Sequence, residues 1–155
     1  MAADAPASSP QAVLFACGLN AVRSPMAAAL LRALRCTNLY VASAGVRSGM
    51  LDPFAVAAMA ELGIDISAHR PMTFEELDDL EGFNFDLIVT LSPEAHHKAL
   101  ALTHRLAAEV EYWPTADPTL ASGNREQILD AYRAVRDRLF AKIKTRFGFA
   151  GGPTV

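Results

Sequence analysis

Cysteine is scarce in this chain: Cys17 and Cys36 are the only two among 155 residues. Two thiols build no disulfide framework, and the count fits the reducing cytoplasm, where the protein is expected to work. A dominant charge is lacking as well. The chain has 14 Lys and Arg against 17 Asp and Glu, a net charge of −3. No basic excess is left to neutralise a nucleic-acid backbone, so a nucleic-acid partner is excluded. No apolar run reaches the length that crosses a bilayer. Met1 to Gln11 offers neither the basic nor the apolar part of a signal peptide. No membrane association is expected, and no internal repeat or linker divides the chain.

What is present is ordinary globular material, 52% apolar and 20% charged, enough to bury roughly two thirds of the unfolded surface in one domain. Residues 1–10 are rich in Ala, Ser and Pro and read as a disordered leader. Residues 11–148 form the domain, and 149–155 a flexible tail. Strands are expected at Val13–Ala16, Leu39–Ala44, Phe85–Leu91 and Glu109–Trp113. Helices start at Ser24-Pro25, Asp52-Pro53 and Ser92-Pro93, each a cap followed by proline. A Thr73-x-x-Glu76 capping box opens a short acidic helix. The last helix starts at Asn124, with Gln127 three residues on. Its apolar stripe is Ile128, Tyr132, Val135, Leu139, Ile143 and Phe147, while Arg133, Arg136, Asp137, Lys142 and Lys144 lie on its wet faces. Strands alternating with helices give an α/β fold: a three-layer, doubly wound, four-stranded parallel sheet with helices on both faces. Sites in such sheets form at the edge where the strands end.

Val13 to Ala16 leads into Cys17-Gly18-Leu19-Asn20-Ala21-Val22-Arg23-Ser24-Pro25. A buried strand ends in a cysteine, and a short loop runs into a helix N-terminus. Loop amides, the helix dipole and Arg23 surround the sulfur with positive charge, which favours the thiolate. The same groups suit a tetrahedral oxyanion above the sulfur, with the planar fork of Arg23 gripping two of its oxygens. A small buried cysteine beside a surface arginine is the plainer reading. The strand before the loop and the Ser-Pro after it favour the chemical one.

The stretch resembles the phosphate-binding loop of the low-molecular-weight protein tyrosine phosphatases, Cys-(five residues)-Arg-Ser-Pro after a strand. The likeness continues through Ser43-Ala44-Gly45, Gly63 to Arg70, Phe85 to Thr90, and Asp117-Pro118. It implies sheet order 2-1-3-4 and no cofactor. It also implies a phosphate site made by Gly18, Leu19, Asn20, Ala21, Val22 and Arg23, braced by Asn20, Ser24, Ser43 and His69. A left-handed residue in so tight a loop suits asparagine, and the Ser24 hydroxyl can donate to the Cys17 sulfur. Asp117 takes the family's general-acid position. Asp117 precedes a loop and is favoured for catalysis. Asp52 precedes helical pattern and is favoured as a cap.

Other candidates are weaker. His96 and His97 point about 100° apart on a helix and cannot share an ion. With His104 they show no ligand spacing, and no metal site is expected. Of Tyr112 and Trp113, one packs in the core and the other faces elsewhere.

The sequence departs from the resembled family in four ways. Glycine sits at position 18 instead of immediately before Asn20. Val22 replaces a second, protective cysteine, and Cys36, roughly 18 Å along the helix, cannot replace it. The segments after Gly45 and Pro118 carry no aromatic ring to flank a phosphotyrosine. Finally, Asp52 to Val56, Tyr112-Trp113 and Arg133 to Asp137 resemble arsenate reductases of the same fold. Their two further cysteines are missing from Leu91–Lys98. The expected function is a cysteine-dependent phosphomonoester hydrolase acting through a phosphocysteine on phosphotyrosine proteins or small aryl phosphates. The catalytic residues are Cys17, Arg23 and Asp117. The alternatives are an arsenate reductase using an external small thiol and a non-catalytic phosphate-binding module.

Overall fold

A computed structural model describes residues 10–34, 39–103 and 107–148. Cys36, His104, the tail and all of the leader but Pro10 lie outside them. The strands are β1 (Ala12–Cys17), β2 (Tyr40–Gly45), β3 (Leu87–Thr90) and β4 (Glu109–Tyr112). They form one parallel sheet in the order β2-β1-β3-β4, as expected. The helices are α1 (Arg23–Ala33), α2 (Pro53–Ala60), α3 (Phe74–Glu81), α4 (Pro93–Leu102) and α5 (Arg125–Arg146).

Alternation along β1 splits the core in two. Val13, Phe15 and Cys17 face α1, α2 and α5, among Met26, Leu30, Met59, Val135 and Ile143. Leu14 and Ala16 face α3 and α4, among Phe74, Leu77, Ala95 and Ile88. Both faces of β1 are dry, which is why it reads as a continuous apolar run. Trp113 is the inward member of its pair, edge-on to Phe15 at 6.0 Å. Tyr112 faces out and stacks on His96 at 4.6 Å.

The capping boxes at Thr73–Glu76 and Asn124–Gln127 form in full. Ser92 caps α4, and Asp52 caps α2 through Phe54 N. Two expectations are corrected. Ser24 is not an N-cap: α1 begins two residues earlier than such a cap would place it, Val22 takes the cap position, and its side chain makes no capping hydrogen bond. Arg136 is not on a wet face but buried, donating to the Ala58 carbonyl at 2.8 Å and to Glu61 at 2.8 Å. Ala58 lies in the last turn of α2, whose carbonyls lack helical partners, and a buried guanidinium satisfies one of them. Beside it, Arg133 joins Glu61, Glu126 and Asp130. Both arginines hold the Glu61 carboxyl down at about 2, against an ordinary 4.5.

Candidate active site

The strands end in register at one edge, with Cys17 opposite Gly45 and Ala16 opposite Thr90. The chain between Cys17 and α1 curls back over that edge. Its carbonyls are tied to the loop after β2: Val46 N donates to Cys17 O at 3.2 Å, Arg47 N to Gly18 O at 2.9 Å and Gly49 N to Leu19 O at 3.0 Å. Asp52 N donates to Ala21 O at 3.2 Å. Gly45 permits this approach. A Cβ there would stand 2.8 Å from Asn20 N and 2.9 Å from the Leu19 carbonyl carbon.

With its carbonyls drawn sideways, the loop turns its amides inward. Among the described residues no amide from Gly18 to Arg23 has a protein acceptor, and Ser24 N points at Cys17 Sγ from 3.4 Å. Buried amides without acceptors are costly unless something negative meets them. Such a row of N–H groups, ending on a helix N-terminus, is an anion cup.

Asn20 makes the turn. It is the one described non-glycine residue with positive φ, +56°, and it is fully buried. Its Nδ2 donates to Ser24 Oγ at 2.8 Å and Ser43 Oγ at 2.9 Å. Oδ1 accepts from Met72 N at 3.0 Å and lies 3.1 Å from His69 Nε2, which is also 3.0 Å from Asn20 O. The expected brace of Asn20, Ser24, Ser43 and His69 is thus a single connected network. Burial pushes the His69 imidazole below its usual value, against the hydrogen bond to Asn20 O, and the Arg32 charge adds to the lowering. The neutral ring presents an N–H to both Asn20 oxygens. Ser24 is drawn off capping duty by the same network, its hydroxyl 3.0 Å from Cys17 Sγ.

Arg23 Nη1 donates to Thr115 O at 2.9 Å, and Nη2 lies 4.0 Å from Asp117 Oδ2. Thus Cys17, Arg23 and Asp117, scattered in sequence, line one cleft of about 800 Å³. Asp117 does cap: its Oδ1 accepts from Thr119 N at 3.0 Å and Thr119 Oγ1 at 2.6 Å, starting a single 3₁₀ turn at Pro118–Leu120. The cap uses Oδ1 and leaves Oδ2, on the Arg23 side, without a hydrogen bond among the described residues.

The chain matches the family described as low molecular weight phosphotyrosine protein phosphatase over residues 12–147. It belongs to that family. Among relatives of this low molecular weight phosphatase is the arsenate reductase of Bacillus licheniformis. It is 34% identical over 143 residues, covering 92% of this chain and 99% of the relative. Solved structures with the same fold include a low molecular weight protein tyrosine phosphatase from T. tengcongensis. Its identity is 26% and its TM-score 0.72, with 89% of this chain and 98% of that one covered. An arginine phosphatase from Geobacillus stearothermophilus is 26% identical at TM-score 0.68, covering 90% and 92%.

The phosphatase has an aromatic wall that its local sequence motifs do not announce. Phe54 of α2 and Tyr132 of α5 stack at 5.3 Å and both line the cleft. The Tyr132 hydroxyl donates to Asp52 Oδ2 at 2.6 Å. Burial, with the neighbouring carboxylates, pushes the phenol upward, so it stays a neutral donor. The segments after Gly45 and Pro118 carry no ring, and the rings that line the cleft are these two, with Leu51 and Ile128 beside them. Helical spacing marks Tyr132 for the core, where it lies buried, and the packing of α2 on α5 brings it to the cleft as well. His96 does not reach the cleft. Its Nδ1 lies 3.0 Å from Thr90 Oγ1.

Proposed function

We propose that this low molecular weight phosphatase hydrolyses phosphate monoesters, phosphotyrosine or other aryl phosphates, through a phosphocysteine intermediate in the cytoplasm. The observation that carries the reading is the row of unpartnered amides of residues 18–23 around a sulfur already met by a hydroxyl and an amide of Ser24. A phosphate dianion seated there takes hydrogen bonds from the cup and from Arg23. Cys17, as thiolate, attacks phosphorus, so an S–P bond forms while the ester P–O bond breaks. Asp117 Oδ2 gives its proton to the leaving oxygen. The resulting carboxylate then takes a proton from water, whose oxygen attacks phosphorus. The S–P bond breaks, inorganic phosphate leaves, and the Ser24 hydroxyl steadies the returning thiolate. Phe54, backed by the buried Tyr132 ring, offers the leaving ring an apolar, stackable wall, which favours aryl esters.

The relatives named arsenate reductases support a second reading, since an arsenate fits the same cup. Leu91–Lys98 holds no cysteine, so reduction would draw its electrons from an external small thiol, oxidised to the disulfide as arsenate becomes arsenite. Rapid-quench hydrolysis of p-nitrophenyl phosphate tests the primary reading. One equivalent of p-nitrophenol per enzyme should be released in a burst, alongside a phosphoenzyme, and the Cys17→Ser variant should show no turnover. Arsenate-dependent thiol oxidation with no phenol release would overturn it.

A further inference from the structure

At the mouth of the cleft Arg47 and Glu94 make a two-pronged ion pair. Arg47 Nη2 donates to Glu94 Oε1 at 3.1 Å, and Nη1 to Oε2. The pair hangs over Gly18, one residue from the sulfur. A side-chain carbon there would stand 3.2 Å from Glu94 Oε1 and 4.0 Å from Arg47 Nη2. Both residues line the cleft with Cys17 and Asp117.

The two partners are held unequally. Arg47 stands on backbone fastened to the phosphate cup through Gly18 O, so its base cannot drift from the site. Its guanidinium has no other hydrogen-bond or ion-pair partner among the described residues. Glu94, by contrast, occupies the first turn of α4, where the positive end of the helix dipole stabilises a carboxylate whether or not Arg47 is present. Both side chains are open to water, at 59% and 44% exposure, and an ion pair so screened parts readily. An incoming anion can therefore draw Arg47 away while Glu94 keeps its helix end. The planar fork that now grips Glu94 fits any other carboxylate equally well.

Resting on the hydrolase reading above, we propose that Arg47 forms an anion-reading subsite beside the phosphate cup. It selects phosphorylated protein segments that carry Asp or Glu next to the phosphorylated residue, with Glu94 as its resting counter-ion. Substrate binding is then an exchange of carboxylates on one guanidinium.

Three phosphotyrosine peptides identical except for flanking Asp, Ala or Lys test this, with p-nitrophenyl phosphate, which has no flanks, as reference within each variant. The acidic peptide should exceed the basic one in kcat/KM by about two- to fivefold, the scale of an exposed ion pair, with the difference in KM. Glu94→Gln, which frees Arg47, should widen that ratio, and Arg47→Ala should bring it close to one. Equal kcat/KM for the three peptides, a preference for Lys, or a ratio that survives Arg47→Ala would overturn the proposal. Survival in Arg47→Ala would point instead to Arg125, whose guanidinium lies 5.4 Å over the Phe54 ring. Loss of all turnover, the reference included, defeats the hydrolase reading instead. The same comparison then passes to dissociation constants of the three peptides, where equal affinities or no binding overturns the subsite.

Discussion

Replacing Asn20 separates what its backbone contributes from what its side chain does. In Asn20→Ala the residue must still adopt φ near +56°, which alanine tolerates worse than asparagine by about 1 kcal/mol. It also loses the donations to Ser24 and Ser43 and the acceptance from Met72 N. These are three hydrogen bonds, two buried and one partly so, at about 1 kcal/mol each. The His69 contact is shared with the Asn20 carbonyl and is only partly lost. The total is about 4 kcal/mol, a large share of the ~5–15 kcal/mol that holds such a domain. Asn20→Gly removes the backbone penalty but none of the side-chain loss. It should stand about 1 kcal/mol above Asn20→Ala and about 3 kcal/mol below the parent. Urea unfolding followed by the single tryptophan, Trp113, reads both. With a slope near 2 kcal/mol per molar, Asn20→Ala should lower the midpoint by about 2 M. If the glycine and alanine variants unfold together, the left-handed turn carries no energy. If neither falls by more than about 0.5 M, the network is decoration and the brace has been misread.

Asp117→Asn should slow alkyl phosphates far more than p-nitrophenyl phosphate, because a poor leaving oxygen depends most on a proton donor; a uniform slowing across leaving groups would argue for a purely structural cap. Acid should weaken the seam between α2 and α5. The Glu61 carboxyl is depressed to about 2 from 4.5, so the folded state resists a proton that the unfolded chain accepts. The stability it brings is whole above 4.5 and drains away as pH falls toward 2. The urea midpoint of the parent should therefore drop more steeply over that window than that of Glu61→Gln, and parallel curves would refute the assignment.

The fold and the cup were legible because their signals are local. A β-strand buried on both faces must read as an apolar run, and a positive φ in a tight loop selects asparagine or glycine, which agrees with the place the family resemblance gives Asn20. What escaped depends on neighbours remote in sequence. Ser24 precedes a proline and looks like a cap, yet the Cys17 sulfur and the buried Asn20 amide compete for its hydroxyl and win. Arg136 sits at a polar helical spacing, but α5 is covered by α1 and α2 together, and the unpartnered carbonyl of Ala58 draws the guanidinium inside. Asp52 reads as a cap and is one, but its second oxygen also holds the remote Tyr132 hydroxyl, and Asp117, set against a loop, turns out to cap a single 3₁₀ turn through Oδ1. Phe54 and Tyr132 are 78 positions apart, and no motif joins them.

The lateral fastening of the loop carbonyls to residues 46, 47, 49 and 52 separates the lettering of the phosphate site from its working parts. Since main-chain hydrogens form the cup, most of its side chains are spectators: Leu19 turns outward over Gly49, while Ala21 and Val22 fill core. A glycine moved by one place, or a valine in place of a protective thiol, leaves the receptor for the anion intact. The mould is cast by two neighbouring strand ends and fastened by main-chain hydrogen bonds within the protein itself, so little conformational freedom remains to be surrendered on binding. Phosphate should enter a finished vessel, and calorimetry should find its capture free of the entropic loss that marks a loop folding around its guest.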